Sequence, residues 1–152
     1  MNVIDLLKKH EGFRSRVYRC TANKETIGYG YNLDANPLHL TVFELDRLKN
    51  KGIAEKTAEN LLIDQVYKIK FELDKEIHWW LKINQTRRDV LIDMAYNLGV
   101  GGLMQLKKIL DKIEEGDYSQ ASIAMLDSKW SKQVHGRANE LSEMMRTGSY
   151  RG

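Results

Sequence analysis

EGFRSRVYRCTANKETIGYGY, residues 11–31, is the stretch on which the rest of the chain turns. It joins a carboxyl group, a thiol and a hydroxyl, those of Glu11, Cys20 and Thr26, to a β-hairpin signal. Residues 16–20 and 25–31 are rich in β-formers, and Thr21, Ala22, Asn23 and Lys24 between them are turn-like. Pairing the two runs brings Cys20 and Thr26 together at the first rungs. Gly28 and Gly30 leave the sheet face bare enough for another backbone or a ligand to approach. Taken singly, a cysteine in a strand is an ordinary small buried hydrophobe and a threonine an ordinary strand former.

Upstream, Val3, Ile4 and Leu7 follow one face of a 3.6-residue period, and the next position on that stripe is Glu11. A carboxyl group thus stands where the pattern calls for an apolar side chain. Gly12 is a natural helix terminator, which places Glu11 at the negative end of the helix dipole. Partial desolvation and the dipole both disfavour the ionised form, the direction a general acid needs. The plain alternative is a frayed last turn with Glu11 in solvent.

The composition is that of an ordinary globular chain, with 152 residues, 42% hydrophobic and 30% charged. That suffices for one substantial core or two small lobes sharing a helix. The single cysteine excludes an intramolecular disulfide, so the fold stands on packing and fits a reducing cytoplasm. The opening MNVIDLLKKH mixes charges into a short apolar pattern and reads as neither a secretion signal nor a membrane anchor. The formal charge is +3, and over residues 1–52 nine lysines and arginines face six carboxylates, so the excess lies in the hairpin-bearing third. A mildly basic surface suits an anionic polymer such as a cell wall, whereas the basic blocks expected for nucleic acid are missing. His10, His39, His78 and His135 have no close metal spacing, and Gly28-Tyr29-Gly30 lacks the rest of a dinucleotide or phosphate fingerprint, so neither metal nor cofactor is expected. A Cys–His hydrolase built on Cys20 would need a base that nothing local provides.

Beyond the hairpin the signals are helical. Thr41-Val42-Phe43-Glu44 is a capping-box pattern opening a helix through about Leu48. Residues 53–80 contain no Pro or Gly and carry Leu61, Leu62, Val66, Ile69 and Leu73 along one face. A helix of about 27 residues spans ~40 Å, more than one compact core needs, which predicts a connection between two lobes. Asn84 caps a helix containing Val90, Leu91, Met94, Ala95 and Leu98 that stops at Gly99, followed by a hinge-like turn at residues 100–102. Leu103, Leu106, Ile109 and Leu110 mark the next helix, ending near Gly116, and Asp117 caps another. Trp130 is expected in the core, and a last helix runs from about Gly136 to Gly148.

The spacing of Glu11, Cys20 and Thr26, together with the run TIGYG, resembles the catalytic signature of the phage-type lysozymes, the endolysin muramidases, in which the second position is Asp or Cys. LIDMAYNLG at residues 91–99, SKW at 128–130 and RTGSY at 146–150 extend the resemblance over nearly the whole chain. It implies an α+β, mostly helical, single lysozyme-like domain: a small N-terminal lobe with a short antiparallel sheet at about 12–60, a long connecting helix at about 53–80, and an all-helical C-terminal lobe at about 81–152 that takes in helix 1–11. The implied activity is hydrolysis of the β-1,4 bond between N-acetylmuramic acid and N-acetylglucosamine in peptidoglycan, leading to host lysis. Glu11 would protonate the leaving oxygen, and Cys20 and Thr26 would orient the attacking water with inversion. Tyr96 matches an aromatic position lining the substrate cleft and Arg137 the arginine that contacts the catalytic glutamate, and Gly30 and Asn32 are further candidate substrate-binding residues.

A thiol has a reference pKa of ~8.5 and rises further beside a carboxylate, so Cys20 is expected to act mainly as a thiol. Tyr31 and Asn32 depart from the T-even members, which carry histidine and leucine there, so the salt-bridging and saccharide contacts of those positions do not carry over. The implied partner is bacterial peptidoglycan, without nucleic acid or stable membrane association. A monomer is expected, reaching the periplasmic wall from the host cytoplasm once a separate pore-forming protein has opened the membrane. An inactive peptidoglycan-binding or virion hub module, and a lytic transglycosylase, are the alternatives.

Overall fold

The computed structural model describes residues 1–150. Helix α1 (Val3–Glu11) buries Leu6 and Leu7 completely, and the backbone N–H of Gly12 closes it by donating to the Lys8 carbonyl at 3.0 Å. Three short strands follow, β1 (Arg14–Arg19), β2 (Glu25–Gly28) and β3 (Tyr31–Asn32), in one antiparallel sheet of order β1-β2-β3. The single second strand expected over 25–31 is therefore two strands. The backbone reverses at Tyr29 and Gly30, between glycines with φ of +67° at Gly28 and +64° at Gly30.

Helix α2 (Val42–Lys51) opens on the expected capping box, in which Thr41 Oγ1 accepts from the Glu44 N–H and Glu44 Oε1 accepts from the Thr41 N–H, both at 3.1 Å. It runs one turn past Leu48 before Gly52 ends it. Helix α3 (Glu55–Glu76) has 22 residues and so a length of about 33 Å, shorter than the expected span at both ends. The chain leaves it because Ile77, Trp79 and Trp80 turn inward through a short 3₁₀ segment, Trp80–Lys82, and are 6% exposed or less.

Two compact units result, Ile4–Tyr67 and a second made of Met1–Val3 with Lys68 onward. Helix α3 begins in the first and ends in the second. Helix α1, expected with the helical lobe, belongs from Ile4 onward to the sheet-bearing unit. The cause is local: Lys8 bonds to Glu59 on α3, and the Glu11 side chain lies against Gly30. The core of this unit is Leu6, Leu7, Ile27, Tyr29, Leu48, Ala58, Leu62 and Val66.

The helical unit is built around α4 (Gln85–Met104), whose residues 89–95 are all buried. Asn84 caps it through Oδ1, which accepts from the Arg87 N–H at 3.0 Å, while Asn84 Nδ2 donates to the Gly148 carbonyl at 2.9 Å. At Gly99 the backbone leaves helical geometry (φ 77°, ψ 156°). The residues after it, read as a hinge-like turn, resume a helix through Met104, and the fully buried Leu103 belongs to that segment. Helices α5 (Lys107–Glu114) and α6 (Tyr118–Leu126) follow, the second capped by Asp117. A six-residue helix α7 (Lys129–Val134), not foreseen in the sequence, starts on Ser128 and buries Trp130, whose Nε1–H donates to Asn97 Oδ1 at 3.0 Å. Helix α8 (Gly136–Thr147) closes the unit and ends on left-handed Gly148.

Candidate active site

Glu11 is the last residue of α1 and is half-buried. One turn earlier, Lys8 Nζ donates to Glu59 Oε2 at 3.1 Å, which ties the end of α1 to α3. On the other side the Glu11 carboxyl group fills the space above Gly30. A β-carbon at position 30 would collide with Glu11 Oε1 and stand 2.8 Å from its Cδ. Gly30 is therefore required twice, once for its left-handed backbone and once for the room that the acid occupies.

The sheet supplies the polar face. Thr26 is the direct partner of Tyr18 on β1 and of Asn32 on β3. Directly opposed residues in antiparallel pairs share a face, so Tyr18, Thr26 and Asn32 form a row across three strands. Thr26 is buried, and its Oγ1 donates to the Lys24 carbonyl at 2.9 Å. The carboxamide oxygen of Asn32 caps the following turn by accepting from the Ala35 N–H at 2.9 Å. The end of that side chain offered to a ligand is its NH₂ donor.

Cys20 lies just past β1, two residues beyond Tyr18. Its N–H donates to the Lys24 carbonyl at 3.0 Å, and its carbonyl accepts from Asn23 at 2.8 Å, closing the turn. Hydrogen bonding from the Lys24 backbone, above all, lowers the thiol's pKa below its ordinary value, with smaller help from the Ala22 backbone and the Thr26 side chain, against partial burial. The sequence led to the opposite direction. The turn aims backbone donors at the sulfur, and hydrogen bonds to the charged form favour it. Thr26 has one hydroxyl proton for two acceptors, so on ionisation of Cys20 it can swing from the Lys24 carbonyl to the sulfur.

Tyr18 is a further candidate residue that the sequence reading missed. It is half-buried, with the Arg14 guanidinium 4.3 Å from its ring centroid. Burial raises its pKa most, and the negative charges of Glu11 and Cys20 raise it further against Arg14, so the phenol is within electrostatic reach of both. The available signal was the period of two along β1, which puts Tyr18 on the face carrying Cys20.

In the helical unit Tyr96 is half-exposed on α4, one turn before Gly99. Arg137, in the first turn of α8, donates from Nε to Oδ1 of the fully buried Asp93 at 2.8 Å. Asp93 too escaped notice, although a carboxylate inside an apolar run is a visible signal. The structure thus gathers Glu11, Cys20, Thr26, Gly30 and Asn32 in the sheet-bearing unit and holds Tyr96 and Arg137 in the other. Among the described residues no three His, Cys, Asp or Glu side chains converge as a metal cluster.

The sequence model of the phage lysozyme family matches residues 8–146. The chain belongs to that family. Among curated relatives, this phage lysozyme domain is 26% identical to the pre-baseplate central spike protein Gp5 of Enterobacteria phage T4, over 98% of its own length and 28% of that protein. It is 31% identical to an endolysin of Bacillus phage B103, over 85% of its length and 44% of the relative. An endolysin of Acyrthosiphon pisum secondary endosymbiont phage 1 is 27% identical over 93% of the domain and 86% of that protein. The domain therefore spans less than half of the first two relatives and most of the third.

Proposed function

We propose that this phage lysozyme domain hydrolyses the β-1,4 bond between N-acetylmuramic acid and N-acetylglucosamine in bacterial peptidoglycan. The observation that carries the proposal is the Glu11 carboxyl group seated on Gly30, in the same unit as the sheet face that bears Tyr18, Thr26 and Asn32 with Cys20 beside them. Glu11 gives its proton to the glycosidic oxygen as the bond from that oxygen to C1 of the muramic residue breaks. A water oriented by Thr26 and Cys20 attacks C1 from the opposite face, and its proton passes to the Cys20 thiolate or to solvent. Glu11, left ionised, recovers a proton from solvent, and the new reducing end is the α anomer. The lowered pKa of Cys20 supports this base role, because more thiolate is present near neutral pH than in an ordinary cysteine. Tyr96, Gly30, Asn32 and Arg137 are assigned to substrate binding, the first and last on the resemblance.

The biological setting proposed is host lysis, as in the endolysin relatives, with the enzyme reaching the wall from the host cytoplasm through an opening made by a separate pore-forming protein. No helix among the described residues is long and apolar enough to cross a membrane. Similarity to a central spike protein over 98% of the chain favours a second setting, a virion-borne lysozyme domain. Turbidity loss of purified peptidoglycan with mass analysis of the fragments tests the chemistry. Hydrated reducing ends support hydrolysis, 1,6-anhydro ends indicate a transglycosylase, and absence of turnover indicates a binding module. Peptide mass analysis of purified virions decides between the two settings.

A further inference from the structure

We infer that Glu55 and Glu59 act as a charge sink for Lys8, holding its ammonium group away from Glu11 so that it does not weaken the acid's hold on its proton. The inference rests on the acid role proposed for Glu11. Lys8 lies three residues before Glu11 on α1, and on a helix surface residues three apart are neighbours that readily pair when their charges are opposite. A lysine in that position favours the ionised carboxylate and so weakens a general acid.

Here the ammonium is engaged elsewhere. Lys8 Nζ lies 3.1 Å from Glu59 Oε2 and 3.5 Å from Glu55 Oε2, both on α3. The Tyr29 hydroxyl donates to Glu55 Oε2 at 2.6 Å, and Lys8 Nζ sits 5.5 Å from the Tyr29 ring centroid. The hydrogen bond from Tyr29 holds the Glu55 carboxyl below the usual carboxylate range, so its charge is present throughout the working pH range. Lys8 and Glu59 side chains are only 27% and 25% exposed, which limits screening of that pair, whereas Glu55 is 50% exposed and more strongly screened. Lys56 Nζ, 76% exposed, also lies 4.0 Å from Glu59 Oε1, so two cations and two carboxylates leave the cluster formally neutral beside the last turn of α1. Tyr29 also precedes Gly30, so the cluster is fastened to the surface on which Glu11 rests.

Tyr18 on β1, with Arg14 over its ring, is charge-coupled to Glu11, Cys20 beyond β1 is coupled to Tyr18, and Arg137 is the residue that the family resemblance assigns to the acid. All four are left unchanged in the test.

The test compares wild type, E59Q, E55Q/E59Q and K8M/E55Q/E59Q by the pH profile of kcat/KM on peptidoglycan and by carbon-13 NMR titration of the Glu11 carboxyl group. Thermal unfolding verifies that each variant is folded. Removing both carboxylates leaves Lys8 unneutralised, so the Glu11 titration and the alkaline limb of the profile shift toward acid pH by about half to one unit. Adding K8M reverses most of the shift. An unmoved Glu11 titration in E55Q/E59Q, or a shift that K8M does not reverse, overturns the charge sink. Activity retained in E11Q would instead overturn the acid role while the NMR titration still decides the electrostatic question.

Discussion

The carboxylate of Glu11 occupies the space that a β-carbon on residue 30 would need, so the acid and the glycine define one another's position. Gly30→Ala must move one of them, and the left-handed backbone at φ 64° adds strain of about 1 kcal/mol. Displacing a catalytic group by about 1 Å costs about a hundredfold in rate. Gly30→Ala is therefore expected to fold, with a modestly lowered Tm, and to lose about two orders of magnitude in turnover. Circular dichroism and a turbidity assay check the two halves of that expectation.

The backbone donors around Cys20 hold its thiol below its ordinary pKa, so the reactive thiolate is expected at lower pH than in a free cysteine. Because the folded value is depressed, the alkylation rate should reach half of its maximum at a pH below that of the unfolded chain. Identical midpoints for native and denatured protein would contradict it. Alkylation should also abolish lysis. Cys20→Asp, which restores a carboxylate base, should remain active, while Cys20→Ala should fall about a hundredfold.

Asp93 and Arg137 form a buried ion pair, with side chains 0% and 11% exposed. Removing Asp93 takes away the carboxylate that accepts from Arg137 Nε, at a cost of about 3 to 5 kcal/mol. Asp93→Ala should lower the stability of the helical unit by that order in urea unfolding. An effect within about 0.5 kcal/mol, the size usual for a surface substitution, would show that the pair is hydrated and weak.

Asn84 serves two elements at once, capping α4 at Arg87 and bonding to the Gly148 carbonyl beyond α8. Loss of an N-cap side chain costs about 1 kcal/mol, and a second hydrogen bond adds about as much again. Asn84→Ala is expected to destabilise by about 2 kcal/mol in urea unfolding with activity at 25 °C unchanged, whereas Asn84→Asp retains the cap and loses only the bond to Gly148.

Local chemistry explains what could be read ahead of the structure. Thr41, Asn84 and Asp117 announced helix starts because their side chains satisfy the first N–H groups, and Gly12, Gly52 and Gly148 announced ends. Glu11, Cys20 and Thr26 could be singled out because their chemistry was out of keeping with position or joined to a hairpin signal. What escaped depended on tertiary geometry. The reversal at Tyr29 and Gly30 looked like one strand, because β-formers continue through it. Helix α7 is too short to carry a period. Tyr18 and Asp93 gain their meaning from partners, Thr26 across the sheet and Arg137 at a separation of 44 residues. The direction of the Cys20 shift follows from where the turn aims the Lys24 and Ala22 amides, which composition does not encode.

The central claim is that Glu11 donates the proton on which bond cleavage depends. Its most direct test is fragment analysis of purified peptidoglycan after exposure to wild type and to Glu11→Gln, an isosteric change that keeps the contact with Gly30 and removes the acid. Wild type should release fragments with hydrated muramic acid ends, and the variant, folded and with unchanged affinity for the wall, should release at least a hundredfold less in the same time. Fragments produced by Glu11→Gln at near the wild-type rate would contradict the assignment.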